Sequence, residues 1–269
     1  MMRIILWITC CLINLSSVAQ DRYFARTYTS SVSNKGDIDV ELWHTSRLGH
    51  QNQFFHSQDQ RLEVELGLGG NVQTSFYFNH YQTRYSDSTD GTLSSNEIGF
   101  SNEWKFNLTN PGKNRLGSAL YFEWGTKGGD ELELEAKIIL DKYYGKNLLA
   151  FNASVEYERE FGWKNGKFIS TTWAAPVEFT LGYMYNLNNQ IGLGFELRDL
   201  NDIAIHKGWE NSILFGGPTF NYRGKGWSIL ANYLPQWVNF RKTPYAPLSK
   251  VLDVHERAEA RIILGIDIK

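Results

Sequence analysis

The chain is poor in thiols, in helical periodicity and in long apolar runs. Its only cysteines are Cys10 and Cys11, both inside the first nineteen residues. Beyond that stretch there is no disulfide, no thiolate nucleophile and no cysteine-based metal site. After residue 19 no apolar stretch reaches the ~20 residues of a membrane-spanning helix. That excludes a helical membrane protein and leaves a membrane barrel open, because barrel strands need only about 9–11 residues each. Charge of one sign is also missing: 27 basic residues stand against 29 acidic ones, which argues against a polyanion-binding role and gives no reason to expect a nucleic-acid partner. No Gly-rich phosphate loop, tight His/carboxylate motif or cofactor signature is present, and Ser95-Asn96-Glu97 has no companion His that would make it a nucleophile.

What is present begins with an address. Met1-Met2-Arg3, the apolar run from Ile4 to Leu15 and Ser17-Val18-Ala19 before Gln20 read as an export signal over residues 1–19, cleaved at its small residues. Residues 20–36 form a polar leader, rich in Ser and Thr, whose Arg22-Tyr23-Phe24-Ala25-Arg26 fits either a short strand or ordered coil. Residues 37–269 form one β domain.

The stretch that defines this domain is Asp130 to Asp141. Charged and apolar residues alternate from Glu131 to Ile138, a period of two that a strand sorts onto opposite faces and a helix would smear. Asp37 to Leu42, Arg61 to Leu66 and Arg257 to Ile262 repeat the pattern. Twelve such segments follow one another, and their connections alternate long and short, with the link after the fifth the exception. Outer-membrane barrels place short turns at the periplasmic end and long loops outside, whereas a soluble sandwich has no reason to do so. Charges on the apolar face sit at strand ends. Its aromatics form two girdles, Trp104, Phe106, Tyr183, Tyr185, Phe220, Tyr222 and Trp227 toward the short turns and Phe122, Trp124, Tyr157, Tyr233 and Trp237 toward the long loops.

These features predict an all-β, antiparallel, up-and-down transmembrane barrel of about twelve strands. The opposite face then lines a lumen: Glu41, Arg61, Glu63, Glu65, Glu97, Glu103, Glu123, Glu131, Glu133, Glu135, Lys137, Glu156, Glu178, Glu196, Arg198, Arg257, Glu259 and Arg261. An excess of carboxylates predicts a conduit for small solutes that prefers cations. The alternative is a closed structural or binding barrel whose interior is filled by its own salt-bridged side chains. A barrel enzyme acting on lipid is a third reading without a catalytic constellation to support it. Inward glycines, Gly182 among them, relieve crowding at bends or leave space in the lumen.

Val40-Glu41-Leu42-Trp43, Arg61 to Leu68, Asp130 to Leu140, Phe215-Gly216-Gly217-Pro218-Thr219 and Glu256 to Gly265 together resemble a family of uncharacterised Gram-negative outer-membrane β-barrels, described as transporters or as domains of unknown function. The resemblance implies a bacterial outer-membrane location, with membrane lipid, the barrel-assembly machinery and a small-molecule solute as partners. It implies no cofactor and no catalytic residue. The chain departs from such barrels in ending Ile266-Asp267-Ile268-Lys269 rather than on an aromatic residue.

Overall fold

A computed structural model describes residues 22–51, 53–87, 91–204, 207–241, 250–253 and 255–268, with the side chains of 87, 164 and 171–173 left out. The expected signal segment lies outside the described residues. The strands are β1 Ile38–Leu48, β2 Phe55–Gly69, β3 Val72–Asp87, β4 Gly91–Thr109, β5 Gly117–Lys127, β6 Glu131–Tyr144, β7 Asn147–Lys164, β8 Lys167–Ala174, β9 Val177–Asn186, β10 Ile191–Ala204, β11 Gly208–Arg223, β12 Trp227–Asn239 and β13 Ala258–Asp267. Each pairs antiparallel with its neighbours, and β13 closes on β1. β8 and β9 share one place in the wall, pairing in turn with the long-loop and short-turn ends of β7. They are split at Ala175-Pro176, where proline cannot donate to the ladder. The result is a closed twelve-strand barrel.

The period of two explains which way each face points. On β6, Leu134 and Ile138 are exposed on the outside while Glu133, Glu135 and Lys137 turn inward. Phe78, Ile98, Phe122, Leu149, Ile262 and Leu264 continue the exposed apolar band on other strands. A band of this extent would be a liability in water and is what a hydrocarbon phase requires. The interior is the reverse, with Glu41, Glu63, Glu103, Glu196 and Glu259 among its most buried residues.

Two of the long connections are partly strand. Residues 84–87 and 91–94 extend the β3–β4 hairpin, and residues 161–173 extend β7 and β8 as a projecting hairpin. In the second, Phe161 stacks on Phe168 at 5.1 Å and Trp163 meets Phe168 edge-on at 5.6 Å, cross-strand contacts that hold the pair beyond the membrane band. The extra length at that end is therefore partly strand. One girdle assignment also changes. The register sets Phe122 opposite Trp104, with Phe106 at 6.4 Å from Phe122, so Phe122 stands with the short-turn set.

The leader is neither strand nor appendage. Residues 22–33 lie inside the barrel, with Phe24, Ala25, Thr27, Thr29 and Ser30 buried. From β1 the chain passes Gly67, where an added Cβ would fall 1.8 Å from the Asn34 carbonyl oxygen. It climbs to Tyr28 beside Asn152 and Arg26 beside Glu178, then turns back. Phe24 packs on Leu148, Ala150 and Met184, and the Arg22 carbonyl reaches Asn221 near the short turns. Any Cβ at Gly182 would meet the Phe24 ring at 2.8 Å. Room for the leader, rather than a strand bend, accounts for that glycine.

Candidate functional site

The leader divides the lumen into a filled half at the short-turn end and a cavity toward the long loops. In the filled half the Arg22 guanidinium lies 3.2 Å from Glu41 and 3.8 Å from Glu63. It is sandwiched by the rings of Tyr28 and Trp43, with centroids at 4.4 and 4.2 Å. Trp43 donates its indole N–H to Glu41 at 2.7 Å. Glu65 accepts from Ser33 and from Gln73, and Glu103 accepts from Tyr77. Glu196 accepts the backbone N–H groups of Arg26 and Thr27 at 2.9 and 2.8 Å. Glu41, Glu63, Glu65 and Glu196 hold the leader, while Glu103 bonds within the wall.

A charge cluster surrounds Glu259, which is 0% exposed. Arg26, Arg47, Arg198 and Arg261 approach it at 3.3, 3.4, 3.4 and 3.8 Å. Glu178 bridges Arg26 at 2.8 Å and Arg198 at 2.6 Å. Glu256 adds contacts to Arg198 and Arg47, and Arg47 also pairs with Asp59. Arg26 is thus the leader's anchor into a network drawn from β1, β2, β9, β10, β13 and the segment before β13.

Above it lies a cavity of about 690 Å³, floored by Arg26 and Tyr28 of the leader and open at the long-loop end. Its lining carries ten carboxylates and seven cationic side chains, and every one of those cations is engaged. Lys137 pairs with Glu135 at 3.2 Å and lies over Tyr28 and Tyr121. Arg61 bonds Asn79 at 2.8 Å and reaches Glu123 at 3.9 Å. Lys127 stands 3.9 Å from Glu97 and 3.7 Å from Glu131. By contrast Glu133, Glu156 and Glu158 line the cavity with no ion pair to them among the described residues. They sit at strand-lattice positions: Glu135 opposes Glu156, and Glu133 opposes Glu158. Like charges placed directly opposite destabilise a sheet, so this wall is costly unless a cation serves it. No group of three or more His, Cys, Asp or Glu side chains among the described residues is placed to hold a metal ion.

Of the residues expected to line the lumen, Arg257 is the exception. It is exposed at the long-loop rim one residue before β13, its backbone N–H bonded to the Leu48 and Gly49 carbonyls and its side chain against Gly49. The alternation that would turn it inward begins only at Ala258. Arg22, Arg26, Tyr28, Arg47, Asp59 and Asn152 belong to the site and were absent from the sequence expectation. The alternation of Arg22, Phe24, Arg26 and Tyr28 was the one visible signal of the leader residues.

The described residues at the end of the β12–β13 connection, 250–253 and 255–257, are tied to the barrel. Gln236 grips the Val251 backbone through both its N–H and its carbonyl, at 2.7 and 3.1 Å, and His255 meets Asp202 at 2.6 Å. Burial works against the charged imidazole, but the hydrogen bond and charge of Asp202 prevail, so the pKa of His255 is raised above its ordinary value. A raised folded-state pKa means that the contact is at full strength below the unfolded value of about 6.5 and is lost as pH climbs through the folded one. Cleavage by added protease between residues 240 and 257 is therefore expected to be slow at acid pH and to quicken on the alkaline side. His255→Leu should flatten that dependence.

A model of a family of unknown function, DUF6662, matches residues 16–268. No curated protein matches the sequence. Among solved structures, the COG4313 outer membrane channel from Pseudomonas putida F1 is similar with a TM-score of 0.62 at 10% identity, over 89% of this chain and 98% of that one. The translocator domain of autotransporter NalP from Neisseria meningitidis gives 0.61 at 10% identity, over 87% and 89%. The KdgM porin in complex with disordered oligogalacturonate gives 0.52 at 9% identity, over 86% and 99%. At these identities the likeness is one of fold, that of outer-membrane β-barrels.

Proposed function

The chain belongs to the family of unknown function DUF6662, and we propose that it is an outer-membrane channel for small polar solutes, selective for cations and closed in this state by its own leader. The observation that carries this reading is the cavity of about 690 Å³, open at one end and stopped at the other by Arg26 and Tyr28. A barrel serving only as a structural element gains nothing from an interior vestibule faced with unpaired carboxylates, which cost free energy to hold together. In this reading the long-loop end faces outside and the short turns face the periplasm. Cation preference follows from the charge ledger, because the basic groups are committed to partners and the surplus on β6 and β7 is negative.

The test is reversal potential across a planar bilayer under a salt gradient, with the leader loosened by Arg26→Ser. The expected result is selectivity for the cation, lost when Glu133, Glu156 and Glu158 are all replaced by Gln. Selectivity for the anion, or none in the Arg26→Ser protein, would refute the cation reading. The competing reading, a permanently closed barrel, is favoured by the extent of the ion-pair network around Glu259, and it predicts no current from either variant.

A further inference from the structure

Six barrel side chains read the main chain of the leader rather than its side chains. Glu196 accepts the Arg26 and Thr27 N–H groups at 2.9 and 2.8 Å. Asn152 clamps one residue twice, accepting the Tyr28 N–H at 2.7 Å and donating to the Tyr28 carbonyl at 2.9 Å. Gln73 accepts from Ser33 N–H at 3.0 Å, Asn107 donates to the Ser30 carbonyl at 2.8 Å, and Asn221 donates to the Arg22 carbonyl at 3.0 Å. Arg261 donates to the Ala25 carbonyl at 3.1 Å. These groups come from β10, β7, β3, β4, β11 and β13, so donors and acceptors for peptide groups ring the lumen. A carboxamide that serves both the N–H and the C=O of one residue matches a polypeptide backbone, and a simple ion could not use both of its groups.

Specificity is laid over this in alternation. Arg22 and Arg26 enter carboxylate pockets, Phe24 enters the apolar pocket of Leu148, Ala150 and Met184, and Tyr28 meets Tyr121 edge-on at 5.4 Å. The acidic lining also extends past the leader. Beyond the apex at Arg26 the cavity wall continues with Glu133, Glu156 and Glu158, which the leader does not reach. A stopper needs no binding groups beyond its own tip.

We propose that the lumen is a binding site for short cationic peptides carrying aromatic residues, and that the leader is its built-in competitor. This deepens the channel reading by naming a class of solute, and it rests on that reading only for passage, not for binding. The tether gives the leader an effective concentration in the millimolar range, so a free peptide gains the site only when the leader is weakened.

The experiment uses a fluorescent peptide with the sequence of residues 20–35, added to the detergent-solubilised protein and followed by anisotropy. It is run on the unaltered chain, on Arg22→Ser/Arg26→Ser, and on a variant lacking residues 22–34. The expected result is one peptide per barrel, bound at least about tenfold more tightly by the two altered forms. Adding Asn152→Leu should weaken that binding about tenfold, and a peptide with both arginines changed to glutamate should not bind. Absence of binding by both altered forms would overturn the proposal, as would binding indifferent to Asn152→Leu or to the charge reversal. Peptide binding by a barrel that carries no current removes the channel reading and leaves this one; current without peptide binding does the reverse.

Discussion

Arg26→Ser should raise the open probability of the barrel in planar bilayers by about two orders of magnitude over the unaltered chain. The reason is the position of Arg26 at the apex of the leader. Its guanidinium joins Glu178 at 2.8 Å and Glu259 at 3.3 Å, and its side chain is 14% exposed. Breaking a buried pair of this kind costs about 3–5 kcal/mol. The low end applies, because Glu178 keeps Arg198 and Glu259 keeps three other arginines. About 3 kcal/mol taken from the docked state and not from the withdrawn one shifts the balance by roughly a hundredfold. The backbone bonds from Glu196 and Asn152 survive the substitution, so openings should be frequent but not permanent. Deleting residues 22–34 should make them permanent. An Arg26→Ser barrel as silent as the parent would show that the leader does not gate the lumen.

The second large effect is on stability. Glu259 is fully buried and meets four guanidinium groups, and replacing it with Gln removes the charge that lets them share one site. The expected loss is about 3–5 kcal/mol in urea-induced unfolding from lipid vesicles. Glu259→Gln combined with Arg26→Gln should lose less than the two separate changes added together, since one surplus charge is withdrawn with the other. Additive losses would mean that Arg26 and Glu259 do not interact, and would place the leader elsewhere.

These two residues show why the barrel was more legible in the sequence than the site. Glu259 stands in an alternating run, Arg257 to Ile262, and its inward direction follows from the period of two. Arg26 stands in a segment that has no strand partner and no apolar face to bury against lipid. Nothing in its composition tells an occupied lumen from a flexible tail, and only the spacing of Arg22, Phe24, Arg26 and Tyr28 hinted at one wall read in alternation. Arg47 and Asp59 were hidden differently. They lie near the long-loop rim, where both faces of a strand are wet and the alternation fades, although β1 continues to Leu48 and β2 begins at Phe55. The same fading concealed the β7–β8 hairpin, whose order comes from Phe161, Trp163 and Phe168 across the strands rather than from a buried face. The Glu133, Glu156 and Glu158 wall was partly legible as an acidic excess. Which carboxylates lack a partner depended on where each arginine and lysine came to rest, and register alone decides that.

The central claim is that residues 22–33 sit inside the barrel, and amide hydrogen exchange of the lipid-embedded protein tests it most directly. The N–H groups of Arg26, Thr27 and Tyr28 are bonded to Glu196 and Asn152 within the lumen, so they should exchange as slowly as amides of the barrel strands. Exchange of those three amides at the rate of an unstructured chain would contradict the account.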